Sequence, residues 1–446
     1  MNFKYLINYK KLYFLIFKFF SLHLVLYSLI IVFLISNDLR NYIFLNSILR
    51  NLFIVLLFII SFSYLLRNSK RISINKINLI DLSVLILLLN YFFGIILLLI
   101  YKNNIILFKS IHVSILPIMV YISTRLILLD EDILKNKYFN QYLNYLIVLL
   151  TIIILISLFL HFIKPNFYIE YLSIHRNESI TWAKSYHRLS GILLQPNTFA
   201  SFSTILFILL YFYKEIYTTY STKIYLNILL LIVLVASILT LSRGVWLFLA
   251  IFFLIKIITK IKLKIKKKVF YYVLFTFFTL ILVMPKLNYN KYLNYIIHRY
   301  NSIVENKEAF DRSNYWIHVI KNAKTYPLGQ GLGIGGQITN EYPQIIQKTN
   351  TPVIDGYFIK VFAETGFIGF FAFIFFILVF ILIYYKISIN PFSENYKKNF
   401  SMYFYLILLF LFQSIGSNIF DFINISPFIW FFISIYSSLY NIRKNY

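Results

Sequence analysis

The chain has no cysteine, which removes disulfides, thiolate-bound zinc and thiol nucleophiles from its chemistry. Histidine is scarce, and no acidic partner turns His175, His187, His298 and His318 into a spaced ligand set, so metal binding is not expected. Charge is also scarce and lopsided. Only 13% of the residues are charged, with 43 basic against 16 acidic, while 60% are hydrophobic. A soluble domain of 446 residues has no interior large enough to hide that much apolar surface. There is no internal repeat, proline-rich linker or low-complexity domain. These absences leave an all-α polytopic membrane protein built as one integrated unit.

Apolar runs long enough to cross a hydrocarbon core of roughly 30 Å fall near residues 12–36, 50–66, 79–101, 107–129, 143–163, 197–213, 223–242, 244–260, 269–285, 358–385, 402–420 and 425–441. The first follows Lys4, Lys10 and Lys11 and is too long for a cleavable signal, so it reads as a retained span. About twelve spans return both termini to one side.

The net charge of +27 raises the question of nucleic acid, but the basic residues sit mainly between spans, where they orient helices and meet anionic lipid headgroups. Membrane lipids are the expected partner of those residues, and nucleic acid is not. Basic connections follow the even-numbered spans: Arg67, Lys70, Arg71 and Lys76; Arg125, Lys135 and Lys137; Lys386, Lys397 and Lys398; and the run Lys256, Lys260, Lys262, Lys264, Lys266, Lys267 and Lys268. The positive-inside rule then places both termini in the cytoplasm. Two longer connections, 164–196 and 286–357, face outward. The second, between spans 9 and 10, is the one large extracytoplasmic loop. The chain divides into N-terminal spans (1–163), a core with the large loop (164–385) and C-terminal spans (386–446).

Three arginine-bearing segments share the outer side. In the first, Arg188 precedes Gly191 and then Pro196-Asn197, where a span begins with Asn197 or Thr198 as its cap. A helix N-terminus beside an arginine suits an anion; the alternative is an arginine snorkelling at the interface. In the second, Ser242-Arg243-Gly244 occupies a tight turn between two spans, so Arg243 lies at headgroup level or points into the bundle. In the third, Arg312 and Trp316 stand one helical turn apart. Arg312 either pairs with Asp311 or offers a planar fork to phosphate, and Trp316 either packs the loop or stacks on a sugar. An arginine at the bilayer centre costs roughly 2.5–3.5 kcal/mol. Gathering arginines at one face points to an anionic ligand arriving there.

The large loop continues with Pro327-Leu-Gly329-Gln-Gly331-Leu-Gly333-Ile-Gly335-Gly336. It spells G-x-G-x-x-G, but no buried strand precedes it, so a dinucleotide site is not expected. It reads as a backbone turn that closes over a ligand or ends a helix. Asp355-Gly356-Tyr357 then returns to the membrane, followed by Glu364-Thr-Gly366-Phe-Ile-Gly369. Asp355 is a candidate base for a sugar hydroxyl or a helix cap. Glu364, inside an apolar stretch, is a functional candidate.

In their order, R-x-x-G-x-x-x-x-P-N (from Arg188), T-x-S-R-G (from Thr240), R-x-x-x-W (from Arg312), P-L-G-x-G-x-G (from Pro327) and Asp355 followed by E-x-G-x-x-G (from Glu364) resemble the O-antigen ligase/polymerase superfamily, membrane proteins with a Wzy-C domain. The resemblance covers about residues 180 to 385. It implies a GT-C-like, metal-independent and cofactor-free membrane glycosyltransferase of lipopolysaccharide, capsule or other cell-envelope polysaccharide biosynthesis. Its donor would be a polyprenyl-diphosphate-linked oligosaccharide, and a chain-length regulator protein is a further implied partner. Ligases of this kind carry His-Asn where this chain has Asp355-Gly356, which favours an O-antigen or capsular polymerase over an O-antigen ligase. On this basis Asp355, Arg243 and Arg312 are the candidate catalytic residues. Arg188, Asn197, Trp316, Gly331, Gly333, Tyr357 and Glu364 are the candidates for contact with the diphosphate or glycan. The rival reading from another class is a lipid-linked glycan flippase or transporter, but transporters show paired repeats and midplane charges rather than charges at one face.

Overall fold

The computed structural model describes residues 77–101, 106–129, 137–176, 188–191, 195–217, 220–261, 316–335 and 356–442, apart from 323 and 423, together with parts of a helical stretch at 51–63. The expected spans at 12–36 and 269–285, the lysines at 262–268, and two site candidates, Arg312 and Asp355, lie outside the described residues.

Every regular element among the described residues is helical. We label the main helices α1 (Leu79–Ile100), α2 (Leu107–Leu128), α3 (Lys137–Ile163), α4 (Asn166–Arg176), α5 (Pro196–Tyr217), α6 (Tyr220–Leu239), α7 (Arg243–Ile261), α8 (Tyr357–Ile389), α9 (Glu394–Gly416) and α10 (Ser426–Ile442). Six of them, α1, α2, α3, α5, α8 and α9, are long and apolar enough to cross a membrane. With the outward apolar side chains described below, they make this a polytopic membrane protein.

α1 shows why these segments are helices. Asn78 caps it through a reciprocal box: its side chain accepts from the Ile80 and Asp81 N–H groups, and Asp81 accepts from the Asn78 N–H. Ser83, Leu87, Asn90, Gly94 and Leu97 form its buried face, while Leu82, Leu85, Leu89, Phe92, Ile96 and Leu99 point outward. Lipid is as apolar as leucine, so burial gives little drive for one such helix to join another. Close packing and interhelical hydrogen bonds do that instead. α1 packs on α8, α2 on α10, and α9 forms the centre, touching α5, α7, α8 and α10.

Some boundaries differ from those read in the sequence. α2 contains one wide π turn, Ile111–Ile115. Pro117 follows it and cannot donate to the carbonyl four residues back, so a widened turn relieves the ring's clash. α9 begins at Glu394 instead of near 402, because Ser393 caps it and a Glu394–Lys398 pair at 2.8 Å supports polar turns beyond the apolar run. It ends at Gly416 instead of 420, and a 3-10 turn (Ile419–Asp421) leads on to α10. α4 is an additional helix inside the connection at 164–196.

Two basic residues counted with the connections are placed elsewhere. Arg125 lies within α2, buried, with Nε 2.8 Å from Asp81 Oδ1 and Nη2 3.0 Å from Oδ2. Tyr121, Asn78, Ser437, Ser438 and Asn441 complete that polar lock between α1, α2 and α10. Lys256 lies within α7, its ammonium 4.4 Å from the Phe212 ring centre and 5.3 Å from that of Tyr405.

Candidate functional site

The helix ends opposite the Asp81–Arg125 lock bring together segments far apart in sequence. Leu189 N–H donates to Leu239 O (3.0 Å), laying the Arg188 segment against the end of α6. Arg188 then donates from Nε to Thr240 O (3.1 Å) and from Nη2 to Asn197 Oδ1 (3.3 Å). The guanidinium is half-buried, and two protein oxygens fix its plane. Asn197 was a candidate cap. The helix starts one residue earlier, at Pro196, and the Asn197 side chain turns to the arginine instead. Proline suits that first position because its missing N–H would have no helical partner there.

Gly191 lets the Arg188 segment lie close against α3. It adopts φ +53°, and a Cβ there would sit 2.2 Å from the Ser157 side chain on α3. The Tyr168 hydroxyl, from α4, approaches both Ser190 Oγ and Gly191 O at 3.4 Å.

Arg243 is the first residue of α7, half-buried, and joined to Thr240 by a turn in which Leu241 has φ +55°. Gly244 behind it lies against the α9 backbone, since a Cβ would meet Gln413 Cα at 3.1 Å. Gln413 reaches Ser201 Oγ at 2.7 Å, one turn along α5 from Asn197. The segments of Arg188 and Arg243, the start of α5 and the end of α9 are therefore packed together.

The large loop closes the same end. The helical turn at 316–322 begins with Trp316, whose ring lies beside Gly356, and Gly356 also abuts Ile415 O at the end of α9. Trp316 thus packs at the start of α8. Residues 329–335 are buried. Gln330 N–H donates to Ala363 O (3.0 Å), Gly331 N–H to Glu364 O (2.9 Å) and Leu332 N–H to Gly94 O (3.0 Å). The glycine segment is therefore a wedge seated between α1 and α8.

α8 accommodates the wedge by breaking. Gly366 takes φ +62° and ψ −153°, a conformation closed to other residues, and a Cβ there would lie 2.1 Å from Pro327 O. The freed Phe367 N–H donates to that same carbonyl (3.3 Å).

Glu364 Oε1 accepts from the Gly333 N–H at 2.7 Å and the Gly335 N–H at 3.4 Å. Lys360, which the sequence reading missed, bridges Glu364 (3.5 Å) and Asp421 (2.6 Å). Tyr357 shares a short hydrogen bond with Tyr91, and Lys360 stands 5.3 Å from the Tyr357 ring centre. Burial pushes the Asp421 carboxyl above its ordinary value, and the Lys360 ammonium pulls it back. Asp421 Oδ2 has no hydrogen-bond partner among the described residues. The signal for Lys360 was present, since it lies i,i+4 from Glu364 in an apolar stretch. Asp421, far along the chain, gave no sign of being their partner.

Glu364, Gly331, Gly333 and Tyr357 are thus brought together beneath the loop, and Arg188, Asn197 and Arg243 on the other side of α9. No group of His, Cys, Asp or Glu suited to a metal ion occurs among the described residues.

Residues 228–374 match the O-antigen ligase family model. This segment is a Wzy_C domain of the O-antigen ligase/polymerase superfamily. The match runs from within α6 to within α8 and so contains Arg243, the glycine wedge and the broken helix. Arg188 and Asn197 precede it, yet Arg188 is hydrogen-bonded to Thr240 inside it. The matched segment and the stretch just before it therefore meet at one candidate site. No curated protein matches the chain.

Proposed function

We propose that this Wzy_C protein is a polymerase of lipid-linked repeat units, acting at the outer face of the bacterial inner membrane. The donor is a polyprenyl-diphosphate-linked oligosaccharide, and the acceptor is a sugar hydroxyl on a second lipid-linked unit. The observation that carries this reading is the joining of Arg188, Asn197, Thr240 and the Arg243 turn at the helix ends that also hold the loop and the start of α8.

Such an arrangement suits transfer from a diphosphate. The acceptor oxygen attacks the anomeric carbon, the glycosidic C–O bond breaks, and its electron pair passes to the departing diphosphate. Charge on that leaving group grows towards the transition state, where guanidinium groups fixed in advance stabilise it most. Arg188, Arg243 and Arg312 have this role, and Asn197 orients Arg188. A diphosphate leaves without a strong general acid. The acceptor's proton passes to Asp355, next to Gly356, whose position against Trp316 and Ile415 fixes where the loop returns to the membrane. Trp316 borders that point; Tyr357, expected to touch the glycan, is instead buried and hydrogen-bonded to Tyr91, packing the start of α8.

A ligase joining the glycan to lipid A-core or another acceptor is the second reading, favoured by the description of the matching family. Deletion of the gene and electrophoresis of surface glycan separates them. Polymerase loss leaves single repeats attached and abolishes the ladder, whereas ligase loss removes all attached glycan. An unchanged ladder would sink both.

A further inference from the structure

Three charged side chains lie together where the chain is least able to solvate them. Lys360, Glu364 and Asp421 each expose 1–2% of their side chains. Charges buried in this way are tolerated only when closely paired. Here one ammonium serves two carboxylates, and one carboxylate oxygen, Glu364 Oε1, also takes two N–H groups of the glycine wedge. The cluster therefore ties together three separate segments: the wedge at 329–335, the first turns of α8 and the turn between α9 and α10. Each borders the proposed site. Lys360 N–H also donates to Gly356 O at 3.1 Å, at the start of α8.

We propose that Glu364, Lys360 and Asp421 are positioning residues, a buried clamp that seats the glycine wedge and thereby holds Trp316 and Gly356 in register with the arginine segments. This rests on the glycosyl-transfer reading of that end. Glu364 was a candidate for direct substrate contact, but its carboxylate is buried and already engaged by the wedge. A displacement of about 1 Å at a transfer site is enough to cost roughly 10²-fold in rate, so a clamp remote from the reacting atoms still controls turnover.

The test uses two substitutions and one reporter. Ile334 is fully buried in the wedge, and the chain has no native thiol, so Ile334→Cys reports seating through its rate of maleimide labelling in membranes. Glu364→Gln keeps an oxygen for the two glycine N–H groups, and Glu364→Met does not. We expect the Gln variant to retain slow labelling and activity within about tenfold of the parent. The Met variant should label at least about tenfold faster and lose roughly 10²-fold in polymer formation. Cysteines at Tyr101 and Tyr326, whose rings meet at 5.7 Å, can be joined by a bifunctional thiol reagent, and tying the end of α1 to the loop in this way should restore activity to the Met variant. Equal inactivity of the Gln and Met variants with the wedge still protected would overturn the proposal and make Glu364 a substrate-contacting group. Unchanged labelling in the Met variant would also overturn it. If the parent protein lengthens no glycan, the functional reading fails, while the labelling still decides whether the clamp exists.

Discussion

Arg188 and Arg243 can be separated from ordinary interfacial arginines by what lysine does in their place. Arg188 spans Thr240 O and Asn197 Oδ1 with two nitrogens of one plane. An ammonium is a point charge and cannot hold both oxygens while presenting a flat fork to phosphate. Arg188→Lys and Arg243→Lys should therefore lower polymer formation by about 10- to 100-fold, since each charge-assisted hydrogen bond is worth roughly 1.5–3 kcal/mol, while membrane abundance by immunoblot stays unchanged. A full ladder with Arg243→Ala at normal abundance would remove the arginine from the mechanism. Asp355 is tested by Asp355→Asn. Asparagine caps a helix as well as aspartate does but lacks basicity, so a general-base role entails a loss of about 10²–10⁴ in rate. A variant making full-length polymer would refute that role. The arginines were legible because a guanidinium at the edge of an apolar run stands out in a chain this poor in charge. The Lys360–Asp421 pair was not, because nothing local joins residues 61 positions apart.

Elements were legible wherever composition alone decides them. The apolar runs at 79–101 and 107–129 coincide closely with α1 and α2. Less legible were features set by partners: the break in α8, the polar first turns of α9 and the burial of a glycine segment that reads as a mobile turn. The break has a direct test. At Gly366 an added methyl meets both a forbidden backbone conformation and the Pro327 carbonyl. Strain of this kind costs about 1–3 kcal/mol, and forced overlap with fixed backbone costs about as much again. Gly366→Ala should therefore lower the thermal unfolding midpoint in detergent by several degrees, whereas Gly416→Ala, at the last turn of α9, serves as the milder comparison. An unshifted midpoint for Gly366→Ala would mean that the wedge and α8 are not packed as described.

At the scale of the whole molecule, the two ends of the bundle differ in chemistry. One end holds the Asp81–Arg125 lock, its charges matched and sealed among α1, α2 and α10. The other gathers the arginine turns, Trp316 and the start of α8. Sequence parity assigns the first end to the cytoplasm, because the lysine run at 262–268 continues from α7 on that side. The donor glycan would meet the second end only if that end faces outward, so orientation is the condition on which the functional reading depends. A chain without cysteine permits a clean test. A single cysteine replacing Leu328, which is 45% exposed, should react with a membrane-impermeant maleimide in cells whose outer envelope has been permeabilised. A cysteine at Lys264 should react only after the inner membrane is opened. If Lys264→Cys is labelled from outside and Leu328→Cys is not, the arginine end faces the cytoplasm. The substrate would then have to be a glycan not yet moved across the membrane.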